Sequence, residues 1–188
     1  MQRCFPTSDL TDSRLPISRP KTSAAPAQLD RTQLLEVVRL TPLVSVDLIC
    51  HDPAGRVLLG WRHNRPAQHS WFVPGGRIRK DERVADALRR IASAELALDA
   101  AQLPAVEFLR AWEHLYPDNF AGADGIGTHY VVLAYRLHLN AAQAAALQPD
   151  SQHGELRWFD VETLRRDPQV HENSRAYFDD AVLSTRIP

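Results

Sequence analysis

Two adjacent glycines, Gly75 and Gly76, follow the short apolar run Trp71–Val73 and open into a basic loop with Arg77, Arg79 and Lys80. An amphipathic stretch ending in Glu95 comes next. Glycine lets a backbone approach a ligand closely. A carbonyl in such a turn is an oxygen ligand of the kind Mg²⁺ takes. A loop and helix of this build suit a metal-bound diphosphate. As a metal cage the segment is incomplete, because Ile91 and Ala94 stand where carboxylates could. Pro-Gly-Gly taken alone is equally an ordinary tight turn. Asp47 is a second informative residue. It interrupts the apolar strand Leu43–Cys50, and a carboxylate there is costly unless it is paired or faces a cavity. Arg62, Arg77 and Arg90 offer the planar paired donors that suit phosphate. Solvated charge, or for Arg90 a surface partner one helical turn away, would account for them as well.

These groups must be carried by a mixed set of elements. Asp30 to Arg39 holds Leu34, Leu35, Val37 and Val38 and reads as a short helix. Leu43–Cys50 and Arg56–Gly60 read as strands joined at the turn Asp52–Gly55. A polar loop from His63 to Ser70 leads to a short strand at Trp71–Val73. The helix is expected over Asp81–Leu96, capped by Asp81, with Val84, Leu88, Ile91, Ala92 and Glu95 on one face. Strands follow at Val106–Trp112, Thr128–Leu139 and Leu156–Phe159, with a Gly- and Asp-rich loop from Tyr116 to Gly127. Ala141–Leu147 reads as a helical turn, Gln148–Gly154 as a loop, and Val161–Arg166 and Asn173–Leu183 as closing helices. Strands and helices mix without strict alternation, which predicts an α/β (α+β) domain with a mixed sheet sandwiched between helices. Trp61, Trp71, Trp112 and Trp158 lie in or beside strands and are expected in the core rather than as nucleobase platforms.

At 188 residues the chain is long enough for one domain with a good core. Its net charge of −1 gives no field favouring nucleic acid or an acidic membrane. No apolar run approaches the length of a membrane span. Two cysteines, Cys4 and Cys50, give no disulfide framework and fit free thiols in a reducing cytoplasm. Residues 1–28 differ in kind: Ser, Thr and Pro dominate, there is no apolar period, and Pro6, Pro16, Pro20 and Pro26 interrupt any helix. They lack the apolar region of a secretory signal. They are expected to be a disordered leader, or to reflect an upstream start codon, with the folded domain over 29–188.

Gly76, Glu82, Arg90 and Glu95 stand at the spacing of the Nudix box, GX5EX7REUXEEXGU with U aliphatic. Ile91 replaces the glutamate after the arginine, Ala94 replaces the first of the later pair, and Ala97 replaces the late glycine. The missing glutamates match one subfamily. Over residues 29–178 the chain resembles GDP-mannose mannosyl hydrolases of the Nudix superfamily. The stretches VVRLTPLVSVDLI, RHNRPAQHSWFVPGGR, DNFAGAD, THYVVL, QHGELRW and VHENSRAYF carry the likeness. Ala97 departs from the subfamily, which usually keeps glycine. Leu34 stands where the family has a phenylalanine near the nucleotide.

The resemblance implies a Nudix fold and a specific site. The Gly75 carbonyl, Glu95 and Gln152 correspond to the metal ligands, for Mg²⁺ or alternatively Mn²⁺. His153 corresponds to the general base, and a neutral imidazole can take a proton from water near pH 7. Without the family, a lone loop histidine would be read as exposed and inert. Arg62, Arg77 and Arg90 correspond to groups that bind the diphosphate and assist departure of GDP. Asp47 and His114 correspond to groups that hold the mannose, and Tyr130 to a donor to the diphosphate. The implied substrate is a GDP-sugar, GDP-mannose or GDP-glucose, and the implied assembly is a homodimer. Because the box lacks glutamates that elsewhere build a phosphorus-centred site, the expected reaction is water attack at the anomeric carbon with inversion. Two rivals stay open: a conventional Nudix pyrophosphatase attacking phosphorus, and a Nudix-fold ligand-binding regulator without turnover.

Overall fold

The computed structural model describes residues 29–98, 103–147 and 153–179. Within them, the first helix, α1 (Arg31–Leu40), starts where Asp30 closes a reciprocal capping box with Gln33, which satisfies two amide donors that helix geometry leaves orphaned. The strands are β1 (Leu43–His51), β2 (Val57–Arg62), β3 (Trp71–Phe72), β4 (Gly75–Arg77), β5 (Val106–Tyr116), β6 (Thr128–His138) and β7 (His153–Phe159). The remaining helices are α2 (Val84–Leu96), α3 (Ala141–Ala146), α4 (Val161–Arg166) and α5 (Glu172–Ala176).

The seven strands form one sheet in the order β3-β2-β1-β6-β5, with β4 on β1 and β7 on β2. β1 and β6 run parallel, from Leu43 against Tyr130 to His51 against His138, and the other pairs are antiparallel. The mixed sheet expected from the sequence is therefore present. Its sandwich follows from strand alternation. Val46, Leu48 and Cys50 of β1 face α2, packing with Leu88, Ile91 and Leu96. Ile49 faces the other way, toward Phe72, Val73, Leu164 of α4 and Tyr177. Trp71 is buried and stacks edge-on with Trp61 and Phe159, and Trp158 packs on the α2-side core. No helix among the described residues is long and apolar enough to cross a membrane.

The β1–β2 turn is built by Asp52, whose carboxylate accepts from the amides of Ala54 and Arg56 at 2.9 and 2.8 Å. Cys50 is buried, and burial pushes its thiol up to about 12, so it stays an inert thiol. Cys4 and the whole segment 1–28 lie outside the described residues.

Several boundaries differ from expectation, and β7 starts at His153, inside the stretch expected as a loop. The helix expected from Asp81 begins at Val84, with Arg83 at the cap and no side-chain cap bond. Asp81 instead adopts φ +61° in the preceding turn. Glu82 is the reason: its Oε2 accepts the Arg79 amide at 2.8 Å and its carboxylate is gripped by Arg90, so the chain is committed to a turn there. The Gly75–Arg77 segment, expected only as a turn, is a strand on β1, with Ser45 opposite Arg77 and Asp47 opposite Gly75. The strand expected over Val106–Trp112 extends to Tyr116, which carries His114 into the sheet beside Tyr130. The last helix is seen over Glu172–Ala176 and gives way to a turn at 177–178 where it was expected to continue, and the part expected past Asp179 lies outside the described residues.

Candidate active site

Strands β1 to β6 together wall a cleft of about 290 Å³. Its lining includes Asp47, Arg62, Gly75, Arg77, His114 and Tyr130, drawn from five strands. Six of the ten residues expected at the site thus meet in one place. Gly75 is needed there because β4 crosses Asp47 so closely: a Cβ would lie 2.5 Å from Asp47 Oδ1 and 2.6 Å from the Val46 carbonyl.

Asp47 is only 6% exposed. Burial pushes its carboxyl up to about 7, against the opposing pull of a hydrogen bond from Tyr177 and the charge of Arg62. The Tyr177 hydroxyl donates to Asp47 Oδ2 at 2.7 Å and lies 3.3 Å from His114 Nε2. Burial, helped by the nearby His171, pulls His114 down to about 4, so its imidazole is neutral near pH 7. Burial also raises the Tyr116 and Tyr130 phenols, which therefore keep their protons.

Arg62 lies across the Phe72 ring, 5.7 Å from its centroid, and its Nε is buried with no hydrogen-bond partner among the described residues. A buried unpaired donor of this kind is costly unless a ligand completes it. Arg77, at the end of β4, also lines the cleft. Arg90 does not line it. Its Nε and Nη2 donate to Glu82 at 2.6 and 2.7 Å, and Nη2 also donates to the Arg77 carbonyl at 2.9 Å. The guanidinium thus ties α2 to the turn that carries Arg77, and Glu82 is held below the usual carboxylate range by it.

Glu95 is 6% exposed, on the buried face of α2 and one turn beyond Ile91. Ile91 packs directly under the glycine turn, its Cγ1 3.2 Å from where a Cβ of Gly76 would stand. The buried Glu95 carboxylate and the Gly75 carbonyl are hard-oxygen donors of the kind that Mg²⁺ or Mn²⁺ takes. Among the described residues no three His, Cys, Asp or Glu side chains cluster for a metal, and this set, with one carboxylate, is not of that type. Gln152 lies outside the described residues. The backbone of His153 begins β7 directly opposite Arg62 of β2, so the register brings the expected base position to a strand that lines the cleft.

Two contributors were not foreseen. Tyr177 lies inside the VHENSRAYF stretch, which was read as a family signature without roles for its members. Its hydroxyl donates to Asp47, 130 positions away along the chain. The segment carrying it is stitched to β3: Trp71 N–H donates to the Gln169 carbonyl, His171 N–H to the Trp71 carbonyl, and Val73 N–H to Ser174 Oγ. Asn119 is the other. Fully buried, it donates to the carbonyls of Ala123 and Ile126 and accepts from the amides of Ala121 and Ala123, which shapes the long loop before β6.

A second hollow, of about 630 Å³, shares α1 and the 62–68 segment with the cleft and is lined by Arg31, His63, Arg65 and Phe120 among others. Arg31 lies over the Phe120 ring at 5.2 Å.

The NUDIX domain family matches residues 41–181. The low-salt glycan biosynthesis protein Agl8 of Haloferax volcanii is 40% identical over 126 residues, covering 66% of this chain and 74% of its own. The MutT protein of Methanosarcina mazei superposes with a TM-score of 0.59 at 17% identity, over 74% of this chain and 92% of its own. The NUDIX domain of Shewanella oneidensis NrtR, solved with ADP ribose, superposes with a TM-score of 0.53 at 20% identity, over 69% of this chain and 80% of its own. At these identities the two structures bear on the fold alone.

Proposed function

The chain belongs to the NUDIX domain family of hydrolases acting on nucleotide-linked substrates, and from that premise we propose that it hydrolyses GDP-sugars to GDP and free sugar. GDP-mannose is the foremost substrate and GDP-glucose the alternative. The observation that carries the reading is the cleft's double character. One buried guanidinium edge, Arg62 Nε, awaits an anion, and beside it stands a buried acceptor pair, Asp47 and His114, suited to sugar hydroxyls. The Haloferax relative is named for glycan biosynthesis, which supports a sugar-bearing substrate. The neighbouring hollow, with Phe120 and Arg31, offers the nucleoside an aromatic surface that Leu34 does not.

Arg62 and Arg77 bind the diphosphate, and Tyr130, its phenol kept protonated by burial, donates to it. Asp47 and His114 orient the sugar. His153 takes a proton from water as the water oxygen bonds to the anomeric carbon. The bond from that carbon to the β-phosphate oxygen breaks, and its electron pair leaves with GDP. Attack opposite the leaving group inverts the configuration. The Gly75 carbonyl, Glu95 and Gln152 would hold Mg²⁺ or Mn²⁺. When bound, the ion neutralises phosphate charge and makes the diphosphate a better leaving group. Arg90 acts on the position of Arg77 through its carbonyl.

The exposed apolar side chains Leu40 and Leu115 border a shallow hollow at the end of α1 and suit the contact of a homodimer in the cytoplasm. Product identity tests the function. Purified protein with GDP-mannose and Mg²⁺ should yield GDP and mannose, β anomer first, by chromatography and proton NMR. GMP and mannose 1-phosphate would overturn attack at carbon. Binding without products would make the protein a regulator.

A further inference from the structure

We propose that Tyr177 is a positioning residue that fixes Asp47 and His114 as hydrogen-bond acceptors, and so makes the cleft select a ligand rich in hydroxyl donors. The inference rests on the reading that this pair holds the sugar. Tyr177 is 4% exposed, just beyond α5, with its ring edge-on to Trp112 at 5.0 Å. A phenol carries one proton, and here it is given to Asp47 Oδ2 at 2.7 Å. The 3.3 Å contact with His114 Nε2 is then a hydrogen bond only when Nε2 carries hydrogen and the phenol oxygen accepts. A neutral imidazole has a single N–H, so Nδ1 is left bare.

The hydrogen-bond sense therefore runs from His114 to Tyr177 to Asp47. With Asp47 ionised, each end retains an acceptor atom, His114 Nδ1 and Asp47 Oδ1, and neither end offers a donor. Such a pair suits vicinal hydroxyls and disfavours phosphate oxygens, which are acceptors themselves. The cleft is thereby divided by chemistry: guanidinium and phenol donors at Arg62, Arg77 and Tyr130 for the anion, acceptors at Asp47 and His114 for the polyol. The bonds from Gln169, His171 and Ser174 to β3 hold the segment, so the phenol's place is set by the fold and not by a ligand.

The first test needs neither substrate nor variant. Long-range ¹H–¹⁵N spectra of the full chain with ¹⁵N-labelled histidine should show His114 as the neutral Nε2–H tautomer. Finding Nδ1–H would overturn the proposal, whatever the protein hydrolyses. The second test uses Tyr177→Phe, which keeps the ring. It should lose the single-tautomer signature. Its KM for GDP-mannose should rise about tenfold, the scale of one lost hydrogen-bonding arrangement, while inhibition by GDP, which lacks the sugar, stays unchanged. Equal weakening of both ligands, or an unchanged tautomer, would refute the positioning role. Absence of turnover in the unaltered chain would refute the sugar-hydrolase reading while leaving the tautomer result standing.

Discussion

Replacing Glu82 separates two roles for Arg90 that the sequence could not. In the folded chain the Glu82 carboxylate is 7% exposed and accepts from Arg90 Nε at 2.6 Å, Arg90 Nη2 at 2.7 Å and the Arg79 amide at 2.8 Å. A hydrogen bond to a charged group contributes about 1.5–3 kcal/mol, and bonds sharing one carboxylate do not add fully. A double-mutant cycle of Glu82→Ala and Arg90→Ala should therefore give a coupling energy of about 2 kcal/mol at pH 7 in chemical denaturation. The pair also predicts a pH window. Arg90 lowers the folded-state pKa of Glu82 from its ordinary 4.5. Its contribution is thus complete above that ordinary value and is lost as pH falls through the lower folded one. Coupling below about 0.5 kcal/mol at pH 7, or one that survives in acid, would refute the clamp. Activity adds an independent reading. If Arg90 works by placing Arg77, Glu82→Gln should raise KM, because a loosened Arg90 no longer holds the Arg77 carbonyl. If Arg90 instead bound the diphosphate directly, releasing it from Glu82 would leave KM unchanged or lower it.

Arg62→Ala should cost about 1.5–3 kcal/mol of substrate binding, roughly 10- to 100-fold in KM, because it removes the buried donor that the cleft leaves unpaired; an unchanged KM would remove Arg62 from the diphosphate site. His153→Ala should lower turnover about 10²–10⁴-fold with little change in GDP affinity, and near-normal turnover would dismiss it as the base. Glu95→Gln should weaken Mn²⁺ binding, read by paramagnetic resonance of the free protein, and unchanged affinity would break the ligand assignment. Ala97 ends α2 at φ +53°, where its amide donates to the Ser93 carbonyl at 3.1 Å. Ala97→Gly should relieve left-handed strain partly offset by glycine's unfolded-state entropy, a net gain of about 0.5–1 kcal/mol and about 2 °C in Tm; a fall in Tm would refute the strain.

The regular elements were legible because their signals are local. Leu34, Leu35, Val37 and Val38 read as a short helix whatever lies elsewhere, and the β1 apolar run reads as a strand without knowing its partner. Asp47 was legible as a functional residue for the opposite reason, since it violates its own local pattern. The start of α2 was not legible, because Asp81 is a good cap by residue type. It is set by Arg90, eight residues beyond Glu82, whose grip on that carboxylate reshapes the turn. Tyr177 was illegible in principle from one sequence. Its role depends on a hydroxyl meeting a carboxylate across the packed layers, and neither residue carries the other's address.

The two missing box glutamates are physically unlike each other. Ala94 lies on the exposed face of α2, where a carboxylate would cost almost nothing. Ile91 is 1% exposed, in the core between α2 and the sheet, and it supports the underside of Gly76. A glutamate there would place a charge among Val46, Leu48 and Leu88 and remove the packing on which the glycine turn rests. The absence at position 91 is therefore built into the core, while the absence at position 94 is a matter of surface chemistry. With Ile91 packed under Gly76, the proposed diphosphate site has no carboxylate at that position. What the cleft can still supply is a few guanidinium donors for the phosphates and acceptors for a sugar alongside. That division of resources favours helping a diphosphate leave over assembling a nucleophile at phosphorus.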